Sequence, residues 1–325
     1  MENMENKEFT TFEEQIKILK IRELKFGSEE TAINALKRYG YYSVINGYKD
    51  PYVEIVDGEE QYKDGVTFEQ LFSLYSLDRD IRNTIMKTML EVEDNLKSAT
   101  AHVIAEDFTS NTNVYLAREN YRPGRKRKDK YQIDELLNKF NKILTDSTDP
   151  VKYYQENYNN VPPWILFKQA SFGNMVNFIK LQRGPQKNKI ISLLYNIPVE
   201  IIEQYSDLKD FFMDTLFVCL DYRNRAAHGG RMYNFKSKPT FRYQKFFHPS
   251  LNITPEDYRK GSGRTGIPIL LKALNLWDNE HLSIISTTGI EFYCKEHCKN
   301  YQSDMEFLMD FLFINKDSDN SPATY

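Results

Sequence analysis

Residues 67–106 read TFEQLFSLYSLDRDIRNTIMKTMLEVEDNLKSATAHVIAE, forty positions without a glycine or a proline. Ile81, Ile85, Thr88, Val92, Leu96, Ala99 and Val103 recur at spacings of three and four, which puts them on one face of an α-helix. Thr67 and Gln70 stand at capping-box spacing, where the hydroxyl takes an orphan helix N–H and the Gln70 amide reaches back to the cap. One helix from Thr67 to about Glu106 is therefore expected. Beside the apolar stripe runs a polar row, Glu91, Asn95, Ser98 and His102. Such a row reads as the rim of the buried face unless another helix brings charge to meet it.

Outward from this helix the pattern stays helical. TFEEQIKILKIREL (11–24) has helical spacing, Gly27 offers a stop, and Ser28 can cap a second helix ending near Arg38. RYGYYSVINGYKDPY (38–52) reads as a turn with short extended pieces, its rings packing against helices rather than stacking on bases. Residues 51–65 suit a loop or hairpin. Further helices are expected over 131–145, from Pro162-Pro163-Trp164 onward, over 171–181, over 207–228 with Ser206 as cap, and over 268–276, 288–301 and 303–314. Residues 232–265 read as irregular. The fold class is mainly all-α, a helical bundle, with an N-terminal helical and aromatic segment (1–66), a helical core (67–235) and a C-terminal part (236–325).

Composition agrees. Of 325 residues, 41% are hydrophobic and only 14 are glycine, while 22 Tyr and 21 Phe supply large rings, so disordered and collagen-like chains are excluded. Three cysteines cannot build an extracellular disulfide framework. No apolar run is long enough to span a bilayer, and Glu2 and Glu5 spoil a signal-peptide reading. A cytoplasmic protein without membrane partners is expected.

The net charge of −3 hides segregation. Residues 122–130 (RPGRKRKDK) hold six Lys/Arg and one acid, residues 221–245 hold seven and one, and residues 291–325 hold seven acids and three lysines. Phosphate binding depends on local basic surface, not on the sum. A salt-sensitive RNA partner along 122–130 and 231–245 is therefore expected, with Arg125, Lys126, Arg127 and Lys128 as contacts; a merely solvated loop is the alternative.

The most informative helix is DLKDFFMDTLFVCLDYRNRAAH (207–228). Phe212, Leu216, Cys219, Leu220, Ala226 and Ala227 form a broad apolar arc with Arg223 near its middle. A guanidinium there needs a carboxylate, a helix end, a subunit interface or an anionic ligand. His228 follows five residues later, about 140° round an ideal helix, so the two converge only if the last turn unwinds or a second chain supplies half of the site. Asn224 precedes His228 by four and is placed to orient its ring. Basic residues and histidine at a helix C-terminus also have a plain explanation in the macrodipole.

The string RNRAAHGGR (223–231) resembles the Arg-x4-His motif of the HEPN superfamily, in the form of its abortive-infection (Abi, AbiD/AbiF-like) family. Other segments resemble that family in the same order: TTFEEQIKIL near the start, YYSVINGY at 41–48, residues 68–102, PPWILFKQASFG at 162–173 and RNRAAHGGRMYN at 223–234. The resemblance covers about residues 10–235 and leaves 240–325 without a motif. It implies a helical bundle that, usually as a homodimer, cuts RNA without metal or cofactor by attack of the 2′-hydroxyl on the adjacent phosphate. It also implies a phage-defence effector; such a nuclease needs restraint in an uninfected cell, for which a regulatory RNA, an antitoxin or an infection-sensed conformational change would each serve. On that basis Arg223, Asn224 and His228 are the catalytic candidates, and Arg225 and Arg231 are candidates for flanking phosphates. Lys97 and His102 echo the same spacing with lysine in place of arginine, a degenerate second half-site; Glu93 and Lys97 also suit an ordinary helix-face ion pair.

Two further constellations fail. CKEHC (294–298) with His281 lacks a second pair at zinc spacing, and GSGRTG (261–266) lacks the ending of a phosphate loop. The alternatives to an endoribonuclease are a non-catalytic RNA-binding module and a helical dimerisation scaffold in which Arg223 serves an interface.

Overall fold

The computed structural model describes residues 9–146, 148–279 and 281–313. Glu2, Glu5, the acidic stretch beyond 313 and the last residue of the helix expected over 303–314 lie outside the described residues. The first two helices begin where the sequence offers a cap. Thr11 and Glu14 close a complete capping box on α1 (Phe12–Ile21), and Ser28 caps α2 (Glu29–Tyr39). The tyrosine-rich stretch that follows is a π-helical turn, Tyr42–Asn46, and not the extended pieces expected; Val44 and Ile45 are fully buried there. The acidic segment folds as the hairpin β1 (Val53–Val56) and β2 (Glu59–Tyr62), antiparallel with Val53 opposite Tyr62.

Then comes α3 (Phe68–Phe108), 41 residues long and so about 60 Å from end to end. The expected stripe is its core face: Ile81, Ile85, Thr88, Val92, Leu96 and Val103 are buried, and Ala99 is half-buried. Only half of the expected capping box forms. Thr67 Oγ1 accepts the Gln70 N–H at 3.2 Å, but the Gln70 side-chain amide is drawn to Asp304 Oδ1 at 2.7 Å.

Shorter helices wrap this mast. In order they are α4 (Thr112–Tyr115), the two-residue strands β3 (Lys126–Arg127) and β4 (Lys130–Tyr131), α5 (Gln132–Thr145), α6 (Val151–Tyr158), α7 (Pro163–Gln169), α8 (Phe172–Lys180), α9 (Gly184–Tyr195), α10 (Val199–Gln204) and α11 (Ser206–Ala227). Ser206 is the first residue of α11 and Tyr205 holds the cap position, so the expected serine cap is displaced by one. Helix α11 lies antiparallel to α3, with Arg223 beside Glu93 and Gly229 beside Arg82. Beyond it the chain doubles back: Tyr222 donates to Phe235 O, the Lys238 N–H to Asp221, and Arg242 grips Asp214 and Asp210. Residues 235–242 are thus a strap along the outer side of α11.

The chain ends in α12 (Pro255–Lys260), α13 (Ile267–Leu274), α14 (His281–Asn300) and α15 (Met305–Leu312). Helix α14 packs along α3. A buried polar cluster rivets it there: Asp304 accepts from Tyr52, from Gln70 and, at 2.9 Å, from His297 Nε2, while His297 Nδ1 meets Ser73 Oγ at 2.8 Å. The order serine, histidine, aspartate is that of a hydrolytic relay, but His297 and Asp304 are 4% and 2% exposed and their remaining capacity is taken by Tyr52 and Gln70. The cluster is a fastening. Among the described residues no helix is long and apolar enough to cross a membrane.

Candidate active site

Helix α11 presents Arg223 at the edge of its buried arc, with Leu220 half-buried and Ala227 exposed beside it. The Arg223 side chain is 31% exposed, and its Nε stands 4.0 Å from Glu93 Oε2, whose side chain is 9% exposed. That separation is beyond a hydrogen bond, and both atoms are buried without a hydrogen-bond partner. Glu93 Oε1 pairs with Lys97 at 2.8 Å, the ion pair expected from their spacing, and Lys97 Nζ also donates to Lys168 O at the end of α7 at 3.3 Å. Two cations therefore share one carboxylate, leaving an excess positive charge and an unspent guanidinium N–H in a recess between α3, α7 and α11. The unpaired Glu93 Oε2 lies in the same recess and opposes that positive charge. Glu93 is not among the expected partners of Arg223; in the sequence it reads as a helix-face acid, and only the crossing of α11 over α3 makes it a neighbour.

Asn224 and His228 are exposed. The helix stays regular through Ala227, and His228 takes the C-cap with its backbone N–H on Asn224 O at 3.1 Å. The last turn does not unwind, so Arg223 and His228 of one chain face directions about 140° apart. Among the described residues the Asn224 amide makes no hydrogen bond to the His228 ring.

The residues after the motif are held firmly. Gly229 has φ +68°, and a Cβ on Gly230 would overlap the Arg225 side chain where it crosses the turn, so a side chain at either glycine would disturb it. Arg225 spans that turn to donate to Arg231 O at 3.1 Å and stacks on Phe235. Arg231 donates to Gly47 O at 2.6 Å and pairs with Asp50 at 2.9 Å. Both arginines are structural fasteners in this arrangement. Beneath them Asp78, fully buried, accepts the Met232 and Tyr233 N–H groups at 2.8 and 2.5 Å and the Tyr48 hydroxyl at 2.6 Å. Burial raises its carboxyl above the usual range, against the opposing pull of those donors and Arg82.

Lys97 belongs to the Arg223 recess, whereas His102 does not. His102 lines a separate cleft of about 360 Å³ with Asn95, Ser98, Leu193 and Trp277. The polar row on α3 is touched by Asn279, which donates to Glu91 at 3.0 Å, but this is an uncharged residue outside any helix, and no helix brings the charge that would make the row more than a rim among the described contacts. Asn279 comes from the C-terminal part and not from the motif helix. Arg125, Lys126, Arg127 and Lys128 are exposed on the β3–β4 hairpin, beyond the C-terminal end of α8 and away from Arg223. Cys294 and Cys298 are buried, and burial pushes both thiols up, Cys294 to about 12. Among the described residues no three metal-capable side chains come together.

No curated protein and no solved structure matches the chain. A family model described as Abi-like protein matches residues 34–234, from the middle of α2 through the motif loop. That span takes in Asp78, Glu93, Lys97, Arg223 and His228, covers more than half of the sequence, and shows that the chain belongs to the Abi-like protein family.

Proposed function

We propose that this protein is a metal-independent endoribonuclease of phage defence. The observation that carries the reading is the Arg223 guanidinium, sunk beside Glu93 with its Nε–H unspent. In the proposed reaction the 2′-oxygen of RNA bonds to the adjacent phosphorus and the P–O5′ bond breaks. A proton leaves the 2′-hydroxyl and another reaches the departing 5′-oxygen, leaving a 2′,3′-cyclic phosphate and a 5′-hydroxyl. Arg223 neutralises the charge that grows on the non-bridging oxygens, and Glu93 holds its position. His228 handles a proton, a task suited to imidazole near neutral pH.

Because Arg223 and His228 of one chain diverge, the complete site takes a second copy, His228 of one protomer serving the phosphate held by Arg223 of its partner. Leu90, 45% exposed one turn before Glu93, and the exposed Ala227 give such a copy apolar surface beside the recess. An effector of this kind is restrained in the uninfected cell by a regulatory RNA or an antitoxin.

The test is expression of wild type, Arg223→Ala and His228→Ala, with growth arrest and RNA cleavage followed in the presence of EDTA. Wild type cuts, and both variants fold but do not. Absence of wild-type cleavage under every activating condition, or normal cleavage by both variants, removes the enzyme reading. RNA binding without cleavage leaves the binding module.

A further inference from the structure

The cationic surface nearest the recess lies along α8. Just before that helix, at the end of α7, Lys168 O receives Lys97, and at its N-terminal end Gly173 faces Leu220 of α11. At the C-terminal end, Lys180 Nζ sits 5.5 Å above the Phe217 ring and Leu181 O accepts the Arg122 N–H at 2.9 Å. Lys187 joins them there, donating to Lys180 O at 3.3 Å. Burial, Arg122 and Lys180 hold the Lys187 ammonium below its usual range, opposed by Asp210. Asp210 is already paired with Arg242 at 2.9 Å. Lys187 therefore lies within electrostatic reach of two other cations, while the acid that opposes them is already paired, and the exposed Arg125–Lys128 hairpin follows Arg122 in the chain. Between the two ends runs a ladder of partly exposed polar groups: Lys139 with Asn174 at 3.4 Å and Gln132 with Asn177 at 3.0 Å. The other basic stretch offers less, because Arg231 and Arg242 are bound to Asp50, Asp210 and Asp214.

Resting on the ribonuclease reading, we propose that Arg122, Lys180, Lys187 and the Arg125–Lys128 hairpin form a second phosphate-binding subsite, which holds a single RNA strand lying along α8 from the phosphate at Arg223. The nine residues of α8 span about 13 Å, so the strand reaches the subsite a few nucleotides from the cut. Lysine and arginine held this way grip phosphates and read no base, which makes the hold independent of sequence and strongly dependent on salt. A flexible single strand suits a recess in which Arg223 is only 31% exposed. The substrate class that follows is single-stranded RNA of several nucleotides, not a dinucleotide or a duplex.

The experiment uses the full chain carrying His228→Ala, with and without Arg125→Glu, Lys126→Glu and Arg127→Glu on the exposed hairpin, and measures binding of 3-nucleotide and 15-nucleotide single-stranded RNAs over a range of salt. The hairpin substitutions weaken binding of the long RNA at least tenfold and flatten its log–log salt dependence by about 0.7 for each phosphate no longer neutralised, with the short RNA unaffected. Lys187→Gln weakens the long RNA in the same direction. Equal affinities and slopes for the long RNA with and without the hairpin charges overturn the subsite, whether or not wild type cuts RNA. Its failure is thus read from a different assay than failure of the ribonuclease reading. Tighter binding of a 15-base-pair duplex than of the single strand overturns the single-strand assignment.

Discussion

Arg223 keeps a buried N–H 4.0 Å from a carboxylate that already serves Lys97, and in the proposed reaction that separation gives Glu93 a positioning role rather than a neutralising one. A shorter contact would engage the Nε–H with Glu93 and leave only the terminal N–H groups for a phosphate. Arg223→Lys places a point charge where a planar fork is needed and is expected to slow cleavage by about a hundredfold or more. Glu93→Gln slows it less. The double variant is no slower than Arg223→Lys, because Glu93 acts only through the arginine. Rates for the four chains in EDTA test this; additive losses would show that Glu93 has a separate role. Asp78 is the second residue on which the site depends. Replacement by alanine orphans the Met232 and Tyr233 N–H groups and the Tyr48 hydroxyl at once, at an expected loss of about 3 kcal/mol. Thermal unfolding reads that as a lowered Tm, with Asp78→Asn less affected since one acceptor remains. Asp78 is hidden in the sequence because its backbone donors lie more than 150 residues away, and nothing local announces such a bond.

The elements are legible where periodicity and caps agree. Helix α3, with its stripe and its Thr67 start, lies where the spacing puts it, as do α1, α2 and α8. Two of the misses are products of tertiary packing: Gln70 leaves its capping box for Asp304, and the aromatic turn winds into a π-helix that buries Val44 and Ile45. The strap on α11 is likewise a tertiary product, irregular in sequence and secured by ion pairs to the motif helix. Beyond the strap, His248 makes a pH-sensitive fastening. His248 accepts the Gln244 N–H at Nδ1 and donates from Nε2 to Gly263 O, which assigns a neutral ring. Burial lowers its pKa from the ordinary value. A group with a lowered folded pKa stabilises the fold above its unfolded value, about 6.5, and loses that contribution as pH falls through the folded one. Wild type is therefore expected to lose more Tm between pH 7.5 and pH 5 than His248→Gln. Equal losses would show that the ring titrates no differently in the fold.

At the scale of the whole molecule the family resemblance and the physical unit do not coincide. The match ends at residue 234, yet the chain beyond it supplies part of the same core: Phe241 and Phe247 pack on Phe211, Trp277 on Phe212, and α14 lies along α3. Burial on α3 shows the consequence. Thr88 meets Ser286, Gln70 meets Asp304, and Ser73 meets His297 across that contact, so removing the C-terminal part uncovers polar groups as well as apolar surface on the mast. No motif in residues 240–325 announces this, because packing against a partner face leaves only a helical period behind. A chain ending after Asn234 is therefore expected to lack the cooperative unfolding of the full protein. Near-ultraviolet circular dichroism and a thermal melt of the two chains provide the measurement. A truncated chain that melts sharply within a few degrees of the full one would show that the matched region folds alone and that the C-terminal helices are an accessory layer.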